Sequence, residues 1–181
     1  MRKVWATMVA AGSLAALVST ASSGAASDAP CAGADRRPTA ATESRARAGV
    51  LCLLDAARAE RHLPGLRSDV HAGRAAQRFA EALDPHKPLT HLGRGGTGPQ
   101  DRLAQAGYAG GARKAFDAGE ALGRSVGRSA TPAQRVSAWL ADGPTRRILL
   151  ARRFRDVGLG VSVAGDRATY VVDLAAPRGP R

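Results

Sequence analysis

Aromatic residues and long hydrophobic runs are scarce in this 181-residue chain. Only 4% of the residues are Phe, Trp or Tyr, and they are not interleaved with the basic residues. Proteins that bind single-stranded nucleic acid stack bases on aromatic side chains, so no specific nucleic-acid ligand is expected. The longest apolar run, residues 4–18, has about 15 residues. A membrane-spanning helix needs about 20, so we expect no transmembrane segment in the mature chain.

Familiar catalytic motifs are also missing. The chain contains no G-x-S-x-G, no H-E-x-x-H and no cysteine with a plausible base nearby. The Gly-rich stretch at residues 93–98 lacks both the Lys-Ser/Thr ending and the preceding strand of a phosphate-binding loop. The sequence therefore favours a protein that is not an enzyme.

The N-terminus has the three parts of a secretory signal peptide. Arg2 and Lys3 precede the apolar run, and small residues follow it up to Ser27. We predict a signal peptide over residues 1–27, an N-terminal arm over 28–42 and one domain over 43–177. The protein is then secreted, extracellular and expected to be a monomer.

Basic residues outnumber acidic ones, 27 to 15, which gives a formal net charge of +12. Removing the predicted signal peptide leaves 25 − 15 = +10. Such an excess favours acidic partners such as anionic lipid or cell-wall polymer. The alternative is a compositional bias towards Ala, Arg and Gly with an ordinary solvated surface.

Two cysteines, Cys31 and Cys52, lie in the predicted exported part. Export permits a disulfide, and two cysteines allow one intramolecular pairing. Closing a loop of about 20 residues would stabilise the domain by roughly 3 kcal/mol. A free buried Cys52 is the alternative.

Helices and strands can both be predicted from the pattern of apolar residues. The pattern predicts helices over 42–62, from 68 or 69 to 83, and over 99–106. In the second of these, Val70, Ala76, Phe79 and Leu83 form the predicted buried side. Residues 123–130 are polar and are predicted to form a surface loop.

The stretch from Thr131 to Leu174 carries the clearest signals. Thr131 is a predicted N-cap, with Pro132 at the first helical position and Gln134 completing a capping box. A second short helical turn follows, and then a β-hairpin alternates apolar and small residues around Gly165-Asp166. The chain is therefore predicted to be an α+β protein whose helices cover a small antiparallel sheet.

The order and spacing of several motifs resemble those of the CAP superfamily, bacterial branch. This superfamily of SCP-like extracellular domains includes cysteine-rich secretory, antigen 5 and pathogenesis-related 1 proteins. Its W-x-x-S-P-G-H-R-x-N-I-L and R-F-R-x-I-G-I-G-V are similar to residues 139–150 and 153–161, without a gap. Its L-x-N-x-x-R-x-x-x-G-L motif is similar to the segment from Cys52, where Asp55 and His62 replace Asn and Gly. The resemblance implies a CAP-type α-β-α sandwich.

The resemblance also implies a cleft in which two histidines and two acids converge. His91 matches the first histidine and Glu120 the acid of the family's G-E-N motif, while Asp142 takes the place of the second acid. Thr145 stands where the family has its second histidine. A metal held by His91 and Glu120, zinc or calcium, is therefore expected to be weakly bound or absent. The alternative is that His91 and Glu120 simply pair and hold two loops together.

The resemblance thus implies a secreted, non-catalytic binding module with a degenerate His/Glu cleft. Its ligand would be a small hydrophobic or extended lipid, peptide or glycan. One alternative is a metal-dependent hydrolase or protease-like enzyme that uses His91 and Glu120. The other is an Arg-rich surface protein that adheres to an anionic cell-envelope component.

Overall fold

The structure, a computed structural model, describes residues 31–109 and 115–178. The predicted signal peptide and the first residues of the arm lie outside the described residues. Within the described part, no helix has the length and hydropathy needed to cross a membrane.

A four-stranded sheet forms the middle layer. Its strands are β1 (Arg67–Ser68), β2 (Phe116–Val126), β3 (Asp156–Ala164) and β4 (Arg167–Pro177). Their order is β1-β3-β4-β2. The long strands pair antiparallel, with β3 and β4 joined at Gly165-Asp166 as predicted, and the two-residue β1 pairs parallel with β3.

The predicted loop over residues 123–130 is wrong in its first half. Strand β2 continues to Val126, which lies opposite Arg167 of β4. Gly123 and Ser125 made this part of the strand look like a polar loop. Both lie beneath Arg135 of the following helix, which donates to the Ser125 hydroxyl over 3.2 Å. A polar stretch can be strand when its small residues make room for a long side chain.

Helices cover both faces of the sheet, which confirms the α-β-α sandwich. The bounds are α1 (Glu43–Ala59), α2 (Val70–Ala82), α3 (Pro99–Gln105), α4 (Pro132–Ala141) and α5 (Gly143–Leu149). Helices α1, α4 and α5 lie on one face, which we call the closed face. Helices α2 and α3 lie on the other, which we call the cavity face.

Local signals set the helix ends. The Asp69 side chain accepts from the amides of His71 and Ala72, both over 2.9 Å, and so caps α2. Thr131 accepts from the Gln134 amide over 3.2 Å, which is one half of the predicted capping box. Val70 was predicted to be buried but is 69% exposed, because the first residue of α2 points away from the sheet.

Helix α1 ends at Ala59, three residues before the predicted end. The chain leaves the helix because His62 adopts a φ of +52°, in the left-handed region that favours glycine. This is the position at which the family motif has Gly. In the last turn of α1, the guanidinium of Arg58 is buried and donates to the carbonyls of Pro64, Leu149 and Phe154 over 2.8–3.0 Å.

The closed face holds the larger apolar core. Phe154 and Leu174 are 0% exposed there. The indole of Trp139 meets Tyr170 edge-on, with 6.4 Å between ring centroids, and donates to the Leu122 carbonyl over 2.8 Å. The Tyr170 hydroxyl in turn donates to the carbonyl of Ala130 over 2.9 Å. Every polar atom of these two aromatic side chains therefore has a partner, as burial requires.

On the cavity face, α2 approaches the sheet closely. Gly158 and Gly160 of β3 lie directly under α2, and a Cβ at either position would overlap the backbone at Ala72 or Ala76. The period-two pattern of glycines in β3 thus brings α2 onto the sheet, where only small residues fit.

The disulfide predicted between Cys31 and Cys52 is present, with 5.6 Å between the two Cα atoms. It ties the arm to α1. The carbonyl of Ala34 also accepts from the Ala133 amide over 2.9 Å, which joins the arm to α4.

Candidate functional site

Two carboxylates face each other on the cavity side of the sheet. Glu120 of β2 lies directly opposite Asp173 of β4. They are 5% and 0% exposed. Two buried acids at one cross-strand position repel each other when both are charged, so their neighbours decide whether the pair is stable.

Arg102 of α3 supplies the compensating charge. Its guanidinium forms an ion pair with Oε2 of Glu120, and both side chains are buried. The guanidinium also lies over the ring of Phe79, 3.5 Å from the centroid. Stacking on an aromatic face suits the planar guanidinium of arginine.

His91 occupies the other carboxylate oxygen of Glu120. Its Nδ1 lies 2.6 Å from Oε1 of Glu120, while 60% of the imidazole side chain is exposed. Arg102 holds the backbone of the same loop, because its Nη1 donates to the carbonyls of His91 over 3.0 Å and Thr97 over 2.7 Å. Glu120 is thus bound on both oxygens, and Arg102 connects it to the loop over residues 91–97.

Asp173 differs from its partner. Neither of its carboxyl oxygens has a hydrogen-bond partner among the described residues. Burial raises the pKa of Asp173 well above its ordinary value, and Glu120 raises it further, while Arg102 opposes the shift. Asp173 therefore keeps its proton to higher pH than an exposed aspartate does.

A cavity of about 590 Å³ opens beside this network, between α2, α3 and the segment over residues 84–97. Its volume is in the range of small-molecule binding sites. Arg102 and Phe79 line it, whereas His91 and Glu120 do not. Arg102 is therefore the residue that the carboxylate network and the cavity share. The rest of its lining mixes apolar, polar and charged residues, and the charged ones are exposed and form the side open to solvent, which we call the mouth: Ala75, Arg78, Ala82, Leu83, Asp84, Lys87, Pro88, Thr90, Leu92, Gly93, Arg94, Thr97, Gln105 and Ala106.

Arg124 fixes the outer part of this segment. It donates to the carbonyls of Lys87 over 2.6 Å and Asp84 over 2.8 Å, and to the Thr169 hydroxyl over 3.2 Å. At the far end, Nδ1 of His71 lies 2.8 Å from the carbonyl oxygen of Ala106 and joins α2 to the end of α3. The walls of the cavity are thus held by side chains of the sheet and of α2.

Comparison with known proteins identifies the family. The sequence profile of the Cysteine-rich secretory protein family, CAP, matches residues 51–174, more than half of the chain. The chain belongs to the CAP family. No curated protein sequence matches it.

Two solved structures share the fold. An extracellular SCP-domain protein from Bacillus anthracis aligns with a TM-score of 0.60 at 21% identity, over 74% of this chain and 41% of that chain. An outer surface protein from Borrelia burgdorferi aligns with a TM-score of 0.59 at 18% identity, over 71% of this chain and 90% of that chain. This CAP domain thus spans less than half of the Bacillus protein.

The four cleft residues expected from the CAP resemblance form two separate pairs. His91 and Glu120 are hydrogen-bonded to each other. Asp142 caps α5, where its Oδ2 accepts from the Thr145 amide over 3.0 Å. Hydrogen bonding from the side chain and the amide of Thr145 lowers the pKa of Asp142. Across residues 31–109 and 115–178, no hydrogen bond or ion pair links the two pairs.

The residues of this CAP domain do not fit a metal ion. Both oxygens of Glu120 are already bound, by His91 and Arg102. Thr145 offers a poor ligand for a borderline ion. In the part of the chain that the structure describes, no three His, Cys, Asp or Glu side chains are arranged to hold one.

Sequence reasoning missed Arg102 and Asp173. A signal for Asp173 exists, because it is the one acid in the apolar run from Thr169 to Ala176. Arg102 has no such signal, since arginine is frequent throughout this CAP chain.

Proposed function

We propose that this chain is a secreted, monomeric and non-catalytic binding module. It binds a small amphipathic ligand that has an apolar body and an acidic end. The observation that carries the proposal is the cavity of about 590 Å³ beside Arg102, with apolar walls and a basic mouth. Membership of a family with extracellular relatives and the Cys31–Cys52 disulfide support secretion.

The base of the cavity suits an apolar group. Phe79 and Ala75 are buried in its wall, and Leu92 at its edge is 59% exposed. A ligand that covers this leucine removes its apolar surface from water, which contributes favourably to the free energy of binding.

The mouth of the cavity suits an acidic group. Arg78 and Arg94 are exposed and line it, and neither guanidinium has a hydrogen-bond or ion-pair partner within residues 31–109 and 115–178. Lys87 is 3.6 Å from Asp84, which also lines the mouth. Two arginines and one lysine against one aspartate leave the mouth positively charged, as binding of a carboxylate or phosphate requires.

The test compares decanoate with decanol by isothermal titration calorimetry on the mature protein. We expect one-to-one binding of decanoate, at least about tenfold tighter than decanol, because a charge-assisted contact at the mouth adds to the burial of the chain. Binding of decanoate falls by about tenfold or more in Ala82→Trp, which fills the mouth. Ala48→Trp, also at an exposed position but on α1, is the control and leaves binding unchanged.

Two results separate the parts of the proposal. If Arg78→Gln/Arg94→Gln weakens decanoate but not decanol, the basic mouth recognises the acidic end. If Ala82→Trp leaves both ligands unaffected, the cavity is not the binding site and the proposal is wrong.

A second candidate, a hydrolase, is favoured by one observation. The exposed imidazole of His91 is held by a buried carboxylate at 2.6 Å, an arrangement that can orient a general base. Turnover of p-nitrophenyl esters or casein that His91→Ala and Glu120→Gln both abolish would support it. We expect no turnover above that of these variants.

A further inference from the structure

A second and smaller hollow lies between the arm and the start of α1. Its volume is about 180 Å³. Arg36 and Arg37 of the arm and Arg45 of α1 line it, as do the hydroxyl-bearing residues Thr39 and Thr42. No acidic residue lines it, although the exposed Asp35 is adjacent in sequence to Arg36.

The three guanidiniums are unneutralised. None of them has a hydrogen-bond or ion-pair partner in the described stretches of the chain. The next arginine of α1 is different, because Arg47 donates to Gln77 over 2.9 Å. Glu43, the acid at the start of α1, accepts from the Val163 amide over 3.2 Å and does not line the hollow. Three like charges around one hollow repel each other unless an anion lies between them.

The hollow is held in shape by the packing of the arm. Cys31 and Ala34 are 6% and 4% exposed, and the disulfide and the Ala34–Ala133 hydrogen bond fix the arm to α1 and α4. At Gly33, a Cβ would lie 2.8 Å from the aliphatic carbons of Arg45, so that side chain lies directly against the arm. The arm therefore brings Arg36 and Arg37 to the same hollow as Arg45.

The threonines add oriented polar groups. The Thr39 amide donates to the Thr42 hydroxyl over 2.8 Å, and the two hydroxyls are 3.1 Å apart. Thr42 also lies at the N-terminal end of the 17-residue α1, where the helix dipole favours negative charge. Guanidinium groups bind the oxygens of a phosphate in a forked geometry that lysine lacks.

We propose that this hollow is a binding site for a phosphate-type oxyanion, separate from the cavity beside Arg102. Guanidiniums of Arg36, Arg37 and Arg45 bind the phosphate oxygens, and the hydroxyls of Thr39 and Thr42 complete the contacts. The phosphate is either a free or soluble phosphate ester or the headgroup of an anionic phospholipid.

The test titrates inorganic phosphate into the mature protein at constant ionic strength set by chloride, followed by amide chemical shifts. We expect one site with a dissociation constant on the order of 1 mM, with shifts centred on residues 33–46. The variant Arg36→Gln/Arg37→Gln/Arg45→Gln weakens binding by about tenfold or more. Arg74→Gln/Arg128→Gln/Arg147→Gln removes the same charge at exposed positions elsewhere and changes binding by no more than about twofold.

A second arm of the experiment identifies the source of the phosphate. Phosphatidylglycerol vesicles in phosphate-free buffer are sedimented with the protein. Binding that the arm variant loses and the control variant keeps assigns the site to a lipid headgroup. Phosphate binding without vesicle binding assigns it to a soluble phosphate. Equal losses in both triple variants, or shifts spread over the whole basic surface, overturn the proposal, as does the absence of binding in both arms.

Discussion

The two faces of the sheet are built on different principles. On the closed face, β4 contributes Tyr170, Val172 and Leu174 to one continuous apolar core under α1, α4 and α5. The alternate side chains of β4 lie on the cavity face and include Asp173. The neighbouring strand β2 places Glu120 beside it. One strand thus serves an apolar core on one side and a buried carboxyl pair on the other.

This difference indicates that the two faces contribute unequally to stability and function. Apolar burial stabilises a domain without directional demands. A buried ion pair such as Arg102–Glu120 contributes little net stability, yet removal of one partner is strongly destabilising. The closed face therefore contributes the larger apolar core, and the cavity face combines smaller apolar clusters with a preorganised charge beside an open space.

The largest expected effect compares one phenylalanine from each face. Phe154→Ala on the closed face is expected to lower the free energy of unfolding by about 4 kcal/mol, because it leaves an enclosed void. Phe79→Ala is expected to lower it by about 2 kcal/mol, because Phe79 already borders the open cavity. Urea denaturation measures both, and an equal or larger loss in Phe79→Ala contradicts the contrast between the faces.

The next effect compares two acids of β2. Glu120→Gln removes the partner of a buried guanidinium and is expected to lower the free energy of unfolding by about 3 kcal/mol. Asp117→Asn breaks an exposed ion pair with Arg178 and is expected to lower it by less than about 1 kcal/mol. Similar losses of stability in the two variants would contradict the claim that Glu120 compensates the buried charge of Arg102.

The third effect tests the protonation of Asp173 through the pH dependence of stability. Its pKa is raised in the folded protein, so from about pH 3.8 upward the folded state binds more protons than the unfolded state. The stability that Asp173 contributes is therefore lost as pH rises. The free energy of unfolding falls by up to about 1.4 kcal/mol per pH unit until the pH passes the folded pKa.

Asp173→Asn removes this proton linkage. Relative to the wild type, the variant is expected to become more stable as pH rises from 4 to 7, measured by urea denaturation at each pH. Asp142→Asn is the control without a slope in this range, because the pKa of Asp142 is lowered in the folded state and its proton linkage therefore lies below about pH 4. Parallel curves for wild type and Asp173→Asn contradict the assignment of a retained proton to Asp173.

The smallest effect concerns the turn after α1, next to the closed face. His62→Gly relieves the positive φ and is expected to raise the free energy of unfolding by about 1 kcal/mol. That is a rise in the melting temperature of about 2–4 °C, measured by calorimetry. His86→Gly, at a loop position without a positive φ, provides the comparison and should give no such gain.

The closed face was more predictable from sequence than the cavity face. Alternation around Gly165-Asp166 gave the hairpin, and Thr131 with Pro132 gave the start of α4, because these signals are local. The end of β2 was missed because its residues are small and polar. They fit a strand only because Arg135 of the following helix α4 lies over them. Polarity alone did not distinguish this strand from a loop.

On the cavity face, the resemblance to CAP proteins pointed to His91 and Glu120. One oxygen of Glu120 is bound by Arg102, which lies on the separate helix α3, so this contact follows from the fold and not from a local motif. The register of β2 with β4 places Asp173 opposite Glu120, and no spacing in the sequence contains that register. Asp142 and Thr145 were expected at the cleft from the same resemblance. In the structure Asp142 caps α5 by accepting from the amide of Thr145.

The central claim is that the amphipathic ligand binds on the cavity face and not on the closed face. The most direct measurement is a map of backbone amide chemical shifts as decanoate is added to saturation. We expect the shifting residues to lie in α2, α3 and the segment over residues 84–97, with α1, α4 and α5 unchanged. Shifts centred on α1, α4 and α5, or no saturable shifts at all, would contradict the account.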